Sequence, residues 1–315
     1  MKKSLVFIFR PKRVFKLLIV IACIVTILNV IWDNLRPGEF QPMPHSEPPE
    51  IARGEYLGWE EVDQMFRRYT NARVVDVDTG LSFAVQRRGG TYHADVQPLT
   101  SKDTAIMKII YDGEWTWRRK AVVVEVGDRR IAASMNGMPH GSGAIRGNDF
   151  RGHFCIHFRD SKVHQSGKEN LAHQMMIWKS AGKFREMVAT MRPEEVIEVF
   201  FTAIDQQSVD LAIKTLDNPS NKEMDFLKLL DSEIERIKVQ RIRQSGGNFS
   251  NYLTYLTLRY RDDSKDVEKR IELRMNETPD EGWKLQGDGL EQLMDRKASV
   301  EVLLEGTFDD DDHCD

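Results

Sequence analysis

His153-Phe154-Cys155-Ile156-His157-Phe158 alternates large apolar side chains with two imidazoles and a thiol. A period of two is the signature of a β-strand with one face in a core. Phe154, Ile156 and Phe158 belong to that face; His153, Cys155 and His157 share the other. Cys155 is one of three cysteines, and the other two, Cys23 and Cys314, lie in an apolar run and an acidic tail. Six of the eight histidines fall between His93 and His173. A thiol becomes a nucleophile at neutral pH when a base sits beside it, usually an imidazole. Titratable nitrogen is thus concentrated around the one candidate nucleophile of the folded body, which has no second cysteine for a disulfide.

Moving outward, strand patterns continue on the N-terminal side. Arg73 to Asp78, a Thr79-Gly80 turn and Leu81 to Val85 predict a hairpin. Ala121 to Val126 and Arg130 to Met135 predict a second, turned at Gly127-Asp128. Trp115-Thr116-Trp117-Arg118-Arg119 is expected to place two aromatics and two guanidiniums on alternating faces, where Arg118 could hold a substrate carboxylate. His93-Ala94-Asp95-Val96-Gln97-Pro98 reads as a turn in which Asp95 orients an imidazole. His164 and His173 flank a surface loop. With a short helix near Trp59 to Phe66 and another from Ala172 to Met191, residues 55–190 read as one β-rich domain.

A second unit starts at Arg192-Pro193-Glu194-Glu195, with proline early and acids in the first turn of a helix. Val196, Val199, Phe200, Ala203 and Ile204 form an apolar helical stripe, continued by Leu211, Ile213 and Leu216. Long strand patterns follow at Ile234–Arg243, Tyr252–Arg261 and Val267–Met275, then a short one at Gly282–Leu285. Helices followed by antiparallel strands predict an α+β domain over 191–288. In element order it resembles the nuclear-transport-factor-2-like fold, which implies recognition of a protein partner or wall polymer. Residues 289–315 read as a tail with an acidic end.

The net charge is −4, which argues against a nucleic-acid partner held by overall charge. Its distribution is uneven: Lys2, Lys3, Arg10, Lys12, Arg13 and Lys16 precede any acid. Residues 17–34 are apolar and long enough to span a bilayer. The basic head 1–16 predicts a cytoplasmic N-terminus and an extracytoplasmic body in the cell membrane. A cleaved signal peptide is the competing reading, but no small-x-small site follows the apolar run. Residues 35–54 hold five prolines and read as a stiff spacer.

The order His140-Gly141, a stretch with Asn148 and Gly152, then His153-Phe154-Cys155-Ile156 resembles the L,D-transpeptidase (YkuD-type) motif. In that family a His-Gly precedes a Ser/Thr-His-Gly-Cys by about fifteen residues. The resemblance covers about twenty residues of this chain. It implies a β-rich catalytic domain, Cys155 as nucleophile, His140 as base and His153 as an orienting group. Gly141, Asn148, Gly152, His157 and Arg118 would surround the substrate. The implied substrate is a peptidoglycan stem peptide, with acyl transfer to an amine or to water and no cofactor. Gly152, Phe154 and His157 stand where the family carries Ser/Thr, Gly and Arg or Asn.

Those three departures support a different reading, a peptidoglycan-binding module without turnover. A further alternative is a zinc-dependent peptidoglycan peptidase using His93, Asp95, His153 and His157, because His-x-His on a strand presents two imidazoles on one face. No dinucleotide fingerprint or phosphate-cradling loop is present.

Overall fold

The valine-rich segments pair as their alternation demands. The computed structural model describes residues 53–164, 167–246 and 250–296. The first six strands are β1 (Asn71–Asp76), β2 (Ser82–Gly89), β3 (Ala94–Pro98), β4 (Arg119–Val126), β5 (Arg129–Asn136) and β6 (Phe154–His157). They close into an antiparallel barrel in the order β1-β2-β3-β6-β5-β4. Closure leaves no strand edge unpaired. Val74, Val85, Val124, Ile131, Phe154 and Ile156 are fully buried in its core, each worth about 1.5–3 kcal/mol of apolar burial. Helices α1 (Trp59–Met65) and α2 (Ser101–Ile110) contribute Val62, Met107 and Ile110 to the same core.

Two features depart from the sequence reading. His93 to Pro98 is a turn by composition, yet Ala94–Pro98 is strand β3, held between β2 and β6. Pro98 is tolerated because β6 pairs only with Ala94 to Val96, so no neighbouring strand needs the amide that proline lacks. The alternation expected over Trp115 to Arg119 does not form, since β4 begins only at Arg119 and residues 112–118 are irregular.

The second half packs α5 (Pro193–Asp205), α6 (Val209–Thr215) and α7 (Asn221–Glu233) against a four-stranded antiparallel sheet. Its strands are β7 (Ile234–Gln244), β8 (Asn251–Tyr260), β9 (Asp266–Thr278) and β10 (Gly282–Leu285), ordered β10-β9-β8-β7. Phe200, Phe201, Leu258 and Leu273 are fully buried between helices and sheet. The helix expected from Ala172 to Met191 is two, α3 (Leu171–Ala181) and α4 (Phe184–Ala189), because Gly182 ends the first in a left-handed conformation at φ 69°. Helix α3 serves both halves. His173 and Ser180 bond β5 through Ser134 Oγ and the Ala133 carbonyl, at 2.9 and 3.2 Å, while Met175 and Trp178 enter the second core. Leu290–Met294, read from sequence as the start of the tail, is a 3-10 turn whose Leu290 and Leu293 join that core.

Among the described residues no helix is long and apolar enough to cross a membrane. The basic head 1–16, the apolar run 17–34, most of the spacer 35–54 and the tail beyond residue 296 lie outside the described residues.

A half-buried lysine ties the halves together electrostatically. Lys179 of α3 is 9% exposed and pairs with Asp78 of the β1–β2 turn at 2.7 Å and with Asp210 of α6 at 2.9 Å. Burial alone would raise the Asp210 carboxyl; Lys179 and Lys214 outweigh it and hold the carboxyl below its ordinary value. A depressed carboxylate stabilises the fold above its unfolded pKa, about 4, and that contribution disappears as pH falls through the folded value. Asp210→Asn should therefore lower stability by about 1–2 kcal/mol at neutral pH, the partner carboxylates being half exposed. In urea titrations the gap between variant and wild type should close below about pH 4; a gap independent of pH would refute this role.

Candidate active site

The loop between β5 and β6 brings the motif residues together. His140 and His153 form an isolated antiparallel bridge, exchanging backbone hydrogen bonds of 3.0 and 2.8 Å. The loop can close this tightly because of its glycines. Gly141 has φ 57°, and a Cβ there would collide with the His153 ring. Gly152 has φ 93°, and a Cβ there would collide with the His140 carbonyl. Both conformations favour glycine.

Gln97, fully buried on β3, holds the same loop from beneath. Its Nε2 donates to the Gly152 carbonyl at 2.6 Å, and its Oε1 accepts from the Ala144 and Ile145 amides at 2.8 and 3.1 Å. Asn148 is also a fastener: Nδ2 donates to the Pro98 carbonyl at 2.8 Å and Oδ1 accepts from the Phe150 amide at 3.2 Å. Its side chain is thus committed to the scaffold.

His140 Nε2 stands 3.2 Å from Cys155 Sγ. The other ring nitrogen, Nδ1, contacts the Met138 carbonyl at 2.8 Å. A carbonyl only accepts, so Nδ1 carries the hydrogen, and a neutral ring turns the Nε2 lone pair toward the thiol. This is the tautomer a general base requires. The His153 ring lies edge-on to His140 with centroids 4.5 Å apart, and its Nδ1 donates to the Ser142 carbonyl at 3.1 Å. Phe154 lies in the extended backbone of β6 and points into the barrel core.

The strand alternation is realised. Phe154, Ile156 and Phe158 are in the barrel core, while Cys155 packs in a separate small cluster with Val163 and Trp117. Cys155 has no exposed surface. Its partly exposed neighbours are His140 and Trp117, whose rings are 4.9 Å apart. Trp117 and Met138 also line a cleft of about 540 Å³ with Arg118, Gln206, Glu235 and Arg261. Arg118 lies in this cleft and donates to the Glu235 carbonyl at 3.1 Å. Burial, with Arg261 nearby, lowers the Arg118 guanidinium from its ordinary pKa.

Three further histidines form a buried layer. His157 is sandwiched between His93 and His173, with ring centroids 4.3 and 3.7 Å apart. Asp95 reaches His93 Nε2 at 3.3 Å and His153 Nε2 at 4.0 Å. Burial works against its charge, but contact with His93 and the fields of His93, His153 and His164 prevail and hold its carboxyl below the ordinary value. The expected ligand set of His93, Asp95, His153 and His157 is not brought together as a unit. Among the described residues, the groups whose ligand atoms lie within 4.8 Å of one another are His140–His153–Cys155 and His93–Asp95–His164.

Sequence reasoning missed Gln97, Met138 and the ring of Trp117 as parts of this site. Gln97 becomes visible only once Ala94–Pro98 is read as a strand. The other two act through a backbone carbonyl and a packing contact, which leave no residue signature.

Gln97→Leu would strand one carbonyl and two amides of the loop. It should cost about 2–4 kcal/mol in urea denaturation, and an unchanged midpoint would show that the loop holds its shape without Gln97. No protein-family model matches the chain, and no curated protein is significantly similar to it.

Proposed function

We propose that the chain is a membrane-anchored cysteine acyltransferase acting on peptidoglycan stem peptides, an L,D-transpeptidase-like enzyme, with residues 191–288 forming a nuclear-transport-factor-2-like domain. The observation that carries the chemistry is the 3.2 Å contact between Cys155 Sγ and a His140 Nε2 whose lone pair is directed by the Met138 carbonyl. The motif resemblance supplies the substrate class.

In this reading His140 Nε2 takes the thiol proton and the sulfur attacks the carbonyl of the scissile amide. The tetrahedral adduct collapses as the C–N bond breaks, and the imidazolium returns its proton to the departing amine. An acyl thioester on Cys155 remains. An acceptor amine, or water, then attacks the thioester, His140 removes its proton, and the thiolate leaves and is reprotonated. His153 braces the His140 ring and tethers its backbone. The cleft bordered by Trp117 and Met138 is the natural approach for a peptide, since both guanidiniums (Arg118, Arg261) and carboxylates (Asp205, Glu235) line it. Because Cys155 is fully covered, substrate entry requires Trp117 to move.

A second reading is supported by the closeness of the ligand atoms of His140, His153 and Cys155: zinc held by this trio would make the site a metallopeptidase. The two readings separate on covalent chemistry. Exposure of intact protein to a carbapenem, followed by mass spectrometry, should give an acyl adduct on Cys155. The adduct should form in metal-free protein and be absent from Cys155→Ala. On muropeptides, His140→Ala should lower turnover by at least about 100-fold. Folded wild type without an adduct would overturn the thiol mechanism. Wall binding without turnover would identify a binding module instead.

The cover over the thiol gives a further expectation. Trp117→Ala should raise the rate of Cys155 alkylation by iodoacetamide several-fold. An unchanged rate would show that access does not run past this ring.

A further inference from the structure

At the end of β3 an imidazole lone pair faces a carboxylate. The Lys162 carbonyl contacts His93 Nδ1 at 2.9 Å. It can only accept, so Nδ1 carries the hydrogen and a neutral His93 presents Nε2 as an acceptor. That nitrogen meets Asp95 Oδ1 at 3.3 Å. Two acceptors do not attract each other; a cation between them, a proton or a metal ion, makes the contact favourable. A charge-assisted N–H···O contact closes to about 2.7–2.9 Å. Two ligand atoms each about 2.0–2.1 Å from a tetrahedral zinc stand about 3.3 Å apart. The separation of this one pair suits two ligands of a tetrahedral ion.

A third ligand is already beside the pair. The exposed His164 ring lies edge-on to His93, with centroids 4.7 Å apart, and edge-on to Tyr92 at 5.5 Å. The ligand atoms of His93, Asp95 and His164 all lie within 4.8 Å of one another. The segment carrying His164 is fixed to the strand end by the Lys162 amide, which donates to the Tyr92 carbonyl at 3.1 Å, and is closed on its own loop by the Val163 amide, which donates to the Lys168 carbonyl at 3.0 Å. The Lys162 carbonyl is the outer partner that sets the tautomer and angle of a metal-binding imidazole. Among the described residues His157 is not part of this group of mutually close ligand atoms.

We propose that His93, Asp95 and His164 form a divalent-metal site of the zinc class, separate from the His140–Cys155 pair, that pins segment 162–164 to β3. Val163 in this segment packs on Cys155, so the ion also fixes one wall of the thiol pocket. The proposal stands on residues that take no part in acyl transfer, and each can fail without the other.

Equilibrium dialysis of the full chain against zinc chloride, with bound metal counted by atomic emission, tests it. Cys155→Ala serves as the parent, because it disables the His140–His153–Cys155 trio. The parent should bind one zinc per chain, and adding His164→Ala, an exposed position, should weaken binding at least about tenfold with an unchanged circular dichroism spectrum. A parent that binds no zinc would mean that a proton occupies the His93–Asp95 contact. That result, or binding indifferent to His164→Ala, would overturn the proposal.

Discussion

Two backbone hydrogen bonds between His140 and His153 hold the candidate site together. They clamp the ends of the β5–β6 loop, so that residue 140 lies beside residue 155 although the two are 15 positions apart. The rest of the local design follows from this closure. Glycine is required at 141 and 152 because any Cβ would strike the opposite side of the bridge. Gln97 fills the space beneath and satisfies the loop's inward-facing polar groups. The Met138 carbonyl, just before the bridge, then selects the His140 tautomer. A backbone constraint thereby becomes an electronic one: the lone pair has a single direction, and the thiol lies along it.

The barrel gives this arrangement a rigid platform and separates two kinds of histidine. His140 and His153 sit on the half-buried rim. His93, His157 and His173 are stacked in a fully buried layer between β3, β6 and α3. Asp95 lies between the groups, within 3.3 Å of one and 4.0 Å of the other. Cys155 belongs to the rim by its hydrogen bond and to the interior by its burial. Its chemistry therefore depends on what moves above it, and Trp117 links that cover to the charged cleft lined by residues of both halves.

Much of the fold is legible in sequence where side chains report their own surroundings. The valine run of β4 and the long amphipathic patterns of β8 and β9 fall within a residue or two of the expected bounds, or run slightly longer. The 153–158 alternation separates core from site correctly because strand geometry leaves no other option. Strand β3 misleads because alanine, aspartate and proline are poor strand formers, and its stability comes from neighbours distant in sequence. Helices α2 and α7 are missing from the sequence reading although Thr100 and Ser220, each with an acid three residues on, form capping boxes. Of the site, the His–Cys spacing is readable, whereas the tautomer, the fasteners and the covering tryptophan depend on long-range closure.

The coupling of His140 to Cys155 is the central claim, and the most direct measurement is the rate of Cys155 alkylation by iodoacetamide at neutral pH. Wild type and His140→Gln are compared under conditions where both are folded. If the imidazole draws off the thiol proton, the variant should react at least about tenfold more slowly. Equal rates, or a wild-type thiol that never reacts, would contradict the account.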